Sequence, residues 1–138
     1  MLVKIKEGTY LNIRNVSYID IETKDFSYTT MGSNQLNFAD FDFASREELI
    51  TLFESDNAKQ FLGLSNDDSS SKIYVNVETI EKVDYSMVDE GIKISIWFIN
   101  DENSCTFHIK EKEGFVDKLV KEINAKLGEI KPQYVDHF

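Results

Sequence analysis

An internal repeat restricts the fold of this chain more than any other feature of its sequence. Residues 10–20 align without a gap on residues 74–84, an offset of 64 positions, and both segments begin with Tyr-x-Asn and end with Asp. Four further positions are aliphatic in both segments, so seven of the eleven positions agree. The alignment predicts that one structural unit occurs twice.

The apolar pattern continues beyond these segments at an offset of 66 positions, which predicts a loop longer by two residues in the second copy. The matched positions are Phe26, Tyr28 and Thr30 with Ile92, Ile94 and Ile96, Phe41 and Phe43 with Phe107 and Ile109, and Leu49, Ile50 and Phe53 with Phe115, Val116 and Leu119. Because strand and helix periods both match, the repeat is expected to cover a whole unit.

Local signals indicate the type of each element. Residues 26–30 and 91–99 alternate apolar side chains with small or polar ones, which is the period of a half-buried strand. Turn-forming residues separate the strands and predict antiparallel connections. Ser45 and Glu48 form a capping box at the start of a first helix, and residues 115–127 carry the apolar stripe of a second.

The second helix has an expected end as well as a start. Gly128 follows the last residue of the apolar stripe and is the expected C-cap. Pro132 would prevent the helix from continuing.

These elements predict an α+β fold, a tandem repeat of two β-β-β-α units with antiparallel sheets that each carry one amphipathic helix. The first unit spans residues 1–64 with an extra N-terminal strand, and the second spans residues 65–138 with a short C-terminal tail. The expected linker lies at about 63–71, because residues 66–71 are all polar.

The composition is typical of a folded cytoplasmic protein. The 138 residues are 41% hydrophobic and 12% aromatic, which is enough to form a buried core. The single cysteine, Cys105, cannot form an intrachain disulfide, and no apolar segment has the length of a signal peptide or a membrane span. We therefore expect a cytoplasmic location without membrane contact.

The charge indicates the kind of partner. A formal net charge of −10 repels phosphate backbones and disfavours direct nucleic-acid binding, whereas it favours a protein with a basic surface. The alternative is that the charge serves only solubility. Candidate partner-binding residues are the acidic side chains of the predicted linker and turns: Asp67, Asp68, Asp89, Glu90, Asp101 and Glu102.

No catalytic motif is recognisable. Cys105 and His108 lie three residues apart on a predicted strand, so they point to opposite faces and form a poor dyad. Asp40 and Asp42 share one strand face, but no further metal-binding pattern accompanies them. Phosphate-binding glycine motifs and zinc ligand sets are absent from the sequence, so no cofactor and no metal are expected.

The second unit resembles the short flagellar-operon proteins of swarming motility. Their pattern is Tyr-x-Asn, a turn, Ile-x-x-Ile-Glu, two strands and a helix, and the matching residues here are Tyr74, Asn76, Ile80, Val83 and Asp84. The resemblance covers about 50 residues in this unit, and the first unit more loosely. It implies a small cytoplasmic β-β-β-α module without enzymatic activity; the doubled length departs from the family, so a motility role does not carry over.

Three classes of function follow from these observations. The leading hypothesis is a non-catalytic protein-binding module, one version being an inhibitor that occupies a basic nucleic-acid-binding groove, as phage anti-defence proteins do. The second is a homo-oligomeric structural component whose repeat-related sheets pair edge to edge. The third is a metal-dependent enzyme of unrecognised type that uses Asp40 and Asp42.

Overall fold

The computed structural model describes residues 2–6, 8–33, 35–40, 46–65, 71–110 and 114–130. The strands are β1 Leu2–Lys6, β2 Thr9–Asn12, β3 Val16–Ile21, β4 Asp25–Thr30, β5 Asn37–Asp40, β6 Phe61–Ser65, β7 Lys72–Asn76, β8 Ile80–Val88, β9 Gly91–Phe98 and β10 Ser104–Ile109. The α-helices are α1 Arg46–Phe53 and α2 Phe115–Ile130, and short 3₁₀ turns occur at Ile13–Asn15, Asp56–Ala58 and Val77–Thr79. Within these ranges, no helix is long and apolar enough to cross a membrane.

The strands form three antiparallel groups. A five-stranded sheet has the order β5-β4-β3-β7-β6, a three-stranded sheet has the order β10-β9-β8, and β1 pairs with β2 in a separate hairpin. The predicted α+β class with antiparallel sheets is confirmed. The central sheet was not foreseen, because β7 of the predicted second unit pairs with β3 of the first.

The same local structure follows both Tyr-x-Asn segments. Asn12 and Asn76 each accept a hydrogen bond from the backbone N–H two residues later and so cap a 3₁₀ turn, with nearly identical backbone angles. The next strand then carries a register shift at the same place, at Val16 in β3 and at Ile80 in β8. Asn is favoured at such caps because its short side chain reaches the free amides of the turn.

The strand registers correct the offset expected for the second half of the repeat. Ile21 pairs with Phe26, whereas its counterpart Tyr85 pairs with Ile94, so the offset after this hairpin is 68 positions and not 66. The β8–β9 hairpin is thus longer by four residues. A strand pattern has a period of two, so a slip of two residues keeps every apolar side chain on its face and cannot be detected from polarity alone.

Two hydrophobic clusters lie on opposite faces of the five-stranded sheet. On one face, Leu49 and Phe53 of α1 pack with Ile19, Phe26 and the residues around them. The cluster on the other face joins β6 and β7 to the three-stranded sheet and α2; its members include Leu64, Val75, Ile94, Phe107, Leu119 and Ile123. The helix α1 and the second half therefore cover the two faces of one shared sheet.

The end of α2 differs from the prediction. The helix passes through Gly128 to Ile130, so the predicted C-cap is wrong. A glycine inside a helix costs only about 1 kcal/mol relative to alanine, and Leu127 and Ile130 continue to pack against the core. The hydrophobic contacts outweigh the glycine.

Several predicted features lie partly or wholly outside the described residues. Pro132, Phe41, Phe43 and Ser45 of the capping box are among them. In the expected linker, residues 63–65 form the end of β6, Ser71 is buried, and residues 66–70 lie outside the described ranges.

Candidate protein-binding site

The acidic residues predicted to bind a partner do not form one cluster. Asp89 and Glu90 lie in the β8–β9 turn, and Asp101 and Glu102 lie in the β9–β10 turn. The strand β9 separates these turns by roughly 25 Å, at about 3.3 Å per residue. Asp67 and Asp68 lie outside the described residues.

Asp101 has a local structural role. Its Oδ1 accepts a hydrogen bond from the backbone N–H of Asn103 at 2.9 Å, which shapes the β9–β10 turn. This pattern explains an aspartate at that position without any partner.

The candidate catalytic groups are poorly placed for chemistry. Cys105 is buried, and burial together with the charge of Asp20 raises the pKa of its thiol to about 12, so the nucleophilic thiolate is disfavoured. Its neighbour His108 lies half-buried on the opposite side of β10. Asp40 is exposed at the end of β5, and its proposed companion Asp42 lies outside the described residues.

Over the residues that the structure describes, no group of three or more His, Cys, Asp or Glu side chains could hold a metal ion. Apolar side chains are exposed on several edge strands of the described sheets: Phe38 on β5 is 69% exposed, and two further edges carry a pair of such residues each.

The first edge is the outer side of β8. This strand pairs with β9 on one side, and none of the described strands pairs with it on the other. Tyr85 and Met87 are 59% and 61% exposed although their partners in the ladder, Ile94 and Ile92, are buried. Those partners pack with α2 in the second cluster, so the apolar face of the sheet extends past its covered part and ends at β8. We call this surface the β8 edge.

The second edge belongs to the β1–β2 hairpin. Leu2 and Tyr10 are 67% and 63% exposed, and none of the strands described pairs with β2 on the side away from β1. Leu2 pairs with Asn12, and Phe61 pairs with Asn76, so β1 and β2 correspond to β6 and β7. We call this surface the hairpin edge.

The corresponding side chains on β6 and β7 are buried. Phe61 and Tyr74 are only 3% and 2% exposed, because β7 pairs with β3 and brings both rings beneath α1. We call the contact between β3 and β7 the internal junction. It covers positions of the β6–β7 hairpin whose counterparts on the β1–β2 hairpin remain exposed.

Aromatic contacts and hydrogen bonds hold the internal junction together. Phe53 stacks on Tyr74 at a centroid distance of 5.6 Å and meets Phe61 edge-on at 4.8 Å. The Tyr74 hydroxyl donates to the Glu54 carboxylate. Asn76 Nδ2 donates to the carbonyl oxygen of Val16 at 3.0 Å. The junction therefore combines backbone pairing, ring packing and polar contacts.

The strand β3, which pairs with β7 in this junction, differs from its counterpart β8 in the burial of its side chains. Ile19 and Ile21 of β3 are buried in the cluster that includes α1, whereas their counterparts on β8 are the half-buried Val83 and the exposed Tyr85. The β8 edge thus carries apolar side chains as β3 does, but none of the described strands pairs with it as β7 pairs with β3.

The two edges carry opposite local charge. Residues 1–15, which contain the hairpin, include three basic residues and one acidic residue. Residues 80–91, which contain β8 and its turn, include one basic residue and four acidic residues. The acidic character that the sequence indicated is therefore locally strong at β8, and the hairpin is a basic region of an acidic chain.

Comparison of the chain with family models, curated proteins and solved structures gave no match. The resemblance to the swarming-motility proteins stays a prediction.

The acidic residues that the sequence indicated for partner binding do not include Leu2, Tyr10, Tyr85 or Met87. The repeat alignment contained one signal, because at the offset of 64 Tyr85 aligns with Ile21, which is buried. Their exposure could not be deduced because it depends on which strands lack a neighbour, and strand pairing between distant segments is not encoded in local polarity.

Proposed function

We propose that this chain is a non-catalytic protein-binding module that adds an extended segment of a partner to the β8 edge. The observation that supports this most strongly is the exposure of Tyr85 and Met87 beside a strand edge without a neighbour among the described strands. An added antiparallel strand would satisfy the outward backbone groups of β8, while alternate side chains would cover the two exposed residues.

The charge of the β8 edge favours a basic segment. Glu81, Asp84, Asp89 and Glu90 are all exposed at or beside this strand. Complementary charge mainly accelerates association and selects among partners, while the apolar contacts supply affinity. A cytoplasmic location is part of this proposal.

The two halves of the chain are proposed to be copies of one unit. The order of a hairpin, a capped 3₁₀ turn, three strands and a helix is the same in both halves. The matching Asn caps and register shifts support the same conclusion. Each unit would then comprise five strands and one helix, with the first unit ending near α1 and the second beginning at β6.

Photo-crosslinking in cells that naturally produce the protein tests the proposed function. A benzophenone amino acid replaces Ser86, which is exposed on β8, and the control places it at Thr51, which is exposed on α1. We expect ultraviolet light to yield covalent protein adducts at position 86 and few at position 51. Absence of adducts at position 86, or equal labelling at both positions, would contradict binding at the β8 edge.

The net charge of −10 favours a second candidate, an inhibitor that docks on a basic nucleic-acid-binding protein. Binding of this kind weakens as salt screens the charges. The measurement is the dissociation constant for the captured basic protein across a salt series, and a constant that does not change with salt would argue against this candidate.

A further inference from the structure

From the correspondence between the two edges, we infer that the segment bound at the β8 edge is the β1–β2 hairpin of a second copy of this chain. This inference rests on the proposed function, because it names the partner of the same site. The chains would associate head to tail, with the hairpin edge as the head and the β8 edge as the tail.

The internal junction supplies the geometry for this contact. In it, Tyr18 lies opposite Val75 and Ile19 lies opposite Tyr74. The counterparts of β3 and β7 under the offset of 64 are β8 and β2. Repeating the junction between two chains therefore pairs Lys82 with Leu11, Val83 with Tyr10 and Asp84 with Thr9 of the second copy.

The exposed side chains fit this contact. In the internal junction the buried Phe61 and Tyr74 occupy the positions that Leu2 and Tyr10 occupy on the hairpin. The same pairing between chains would bring Leu2 and Tyr10 against Tyr85 and the neighbouring core of the second half. One contact would thus cover Leu2, Tyr10 and Tyr85 together, and removal of exposed apolar surface from water favours association.

Charge supports the same partner. Residues 1–15, which contain the head, carry three basic residues and one acidic residue, whereas residues 80–91, which contain the tail, carry one basic residue and four acidic residues. The net charge of −10 on each chain opposes association, but at physiological salt interactions beyond about 8 Å are largely screened. Charges at the contact therefore count for more than the overall repulsion.

The contact joins two different surfaces, so it is heterologous and differs from the self-complementary contact of a twofold dimer. A heterologous contact leaves one head and one tail unused after each addition, which produces open chains or closed rings. This property makes the inference testable with two variants that are each defective at one end.

The head variant is Leu2→Glu/Tyr10→Glu, and the tail variant is Tyr85→Glu/Met87→Glu. All four side chains are exposed, so the substitutions should leave the fold intact, as circular dichroism can verify. The matched control, Phe38→Glu/Val120→Glu, changes two exposed apolar residues that belong to neither edge.

Sedimentation velocity over a wide concentration range measures the outcome. We expect the mass of the wild-type protein and of the control to rise with concentration beyond that of a dimer, while each variant alone stays at the 16.0 kDa of one chain. An equimolar mixture of the two variants should form a species of twice that mass and nothing larger, because only one intact head–tail pair remains. A wild-type protein that stays monomeric, a mixture that stays monomeric, or a single variant that associates like the wild type would overturn the inference.

The crosslinking experiment separates failure of this inference from failure of the proposed function. Adducts at position 86 that contain only other proteins would overturn head-to-tail association and leave strand addition at the β8 edge standing. A complete lack of adducts at that position would overturn both. Adducts with twice the mass of the chain would support both.

Discussion

Asn76 connects the two halves of the molecule at the scale of a single residue. Its Oδ1 accepts from the N–H of Glu78 within its own turn, while its Nδ2 donates to the carbonyl oxygens of Arg14 and Val16 in the other half. The side chain is 1% exposed, so its removal would leave buried polar groups without partners. Asn12 caps the corresponding turn of the first half at the partly exposed hairpin.

Substitution of these two asparagines should have unequal effects on stability. We expect Asn76→Ala to lower the free energy of unfolding by about 2–3 kcal/mol, since it removes a cap, one buried and one partly buried hydrogen bond. Asn12→Ala, the matched control, should cost only about 1 kcal/mol, because Asn12 is half-buried and water can replace the hydrogen bonds that its side chain loses. Urea unfolding of both variants measures the difference, and equal costs would show that the bonds across the junction contribute nothing.

Two buried tyrosines should make the protein sensitive to alkaline pH. Burial raises the pKa of Tyr18 and of Tyr74 above the ordinary value of 10.0, and the bond to Glu54 raises the pKa of Tyr74 further. The unfolded chain releases these protons more readily than the folded protein, so the stabilising effect is complete below pH 10 and is lost as the pH rises above it.

The measurement is the free energy of unfolding as a function of pH between neutrality and strongly alkaline conditions. We expect a decline that begins near pH 9 with the buried Cys105 thiol and steepens near pH 10 with the tyrosines. Above pH 10 the decline should be shallower for Tyr74→Phe, which lacks the ionisable group. The same alkaline slope in this variant and in the wild type would contradict the assignment.

At the scale of residues, the sequence alignment matched residues that have the same local structure, but it did not predict how deeply each one is buried. The alignment paired Tyr10 with Tyr74 and Asn12 with Asn76, and both asparagines form the same cap. One tyrosine is exposed and the other buried, because only the second has a strand and a helix from the other half beside it. The shared Tyr-x-Asn thus goes with the same local structure, while burial is decided by distant segments.

At the scale of elements, Gly91 determines how the long β8–β9 hairpin meets β10. Its φ is +152°, and a Cβ atom built at this position would lie 2.1 Å from the carbonyl oxygen of Ile109. Both the backbone conformation and the close approach require glycine. Gly128 in α2 is different, since a Cβ atom there would meet no heavy atom within 4 Å.

The two glycines therefore predict opposite results for one substitution. Gly91→Ala should destabilise the fold by about 1–3 kcal/mol from the backbone alone, with a further cost from the displacement of Ile109. Gly128→Ala should stabilise it by about 0.5–1 kcal/mol, because alanine loses less conformational freedom in a helix. Thermal unfolding measured by circular dichroism compares them, and a neutral Gly91→Ala would mean that β10 moves aside without cost.

The elements were predicted better than their ends. Apolar periodicity indicated strands at 26–30 and 91–99; the first lies within β4, and the second matches β9 except for Ile99, which lies in the following turn. Alternation repeats every two residues, which left the hairpin offset wrong by two positions. The predicted end of α2 was also wrong, because the contacts of Leu127 and Ile130 with the core outweigh the preference of Gly128 for a helix end. A sequence pattern does not show such contacts.

At the scale of the whole molecule, the shared sheet should make the halves unfold together. The strand β7 contributes to both hydrophobic clusters, because Tyr74 lies in one and Val75 in the other. Loss of either cluster therefore exposes part of the remaining one. Domains of this size with one connected core usually unfold in a single transition.

This coupling can be measured with the single tryptophan, Trp97, which lies in β9 of the second half. Ile19→Val, a buried change in the first half, should lower the stability recorded by tryptophan fluorescence by about 0.5–1.5 kcal/mol. Ile96→Val in the second half is the matched control and should have a similar effect. If Ile19→Val leaves the fluorescence transition unchanged, the halves unfold separately.

The pairing of β7 with β3 had one signal in the sequence. Ile73, Tyr74 and Val75 are three consecutive apolar residues, and such a run is typical of a strand covered on both faces. The run does not indicate which segment covers the second face of the strand. Tertiary contacts made that choice, so the sheet that joins the two halves of the chain could not be predicted from the sequence.

The difference between head and tail has a genetic consequence. If growth proceeds by the proposed contact, a chain damaged at one end still joins an assembly and then blocks the next addition at that end. A chain damaged at both ends joins nothing. Single lesions would therefore act dominantly over the normal allele, whereas combining them in one gene copy would make the allele recessive.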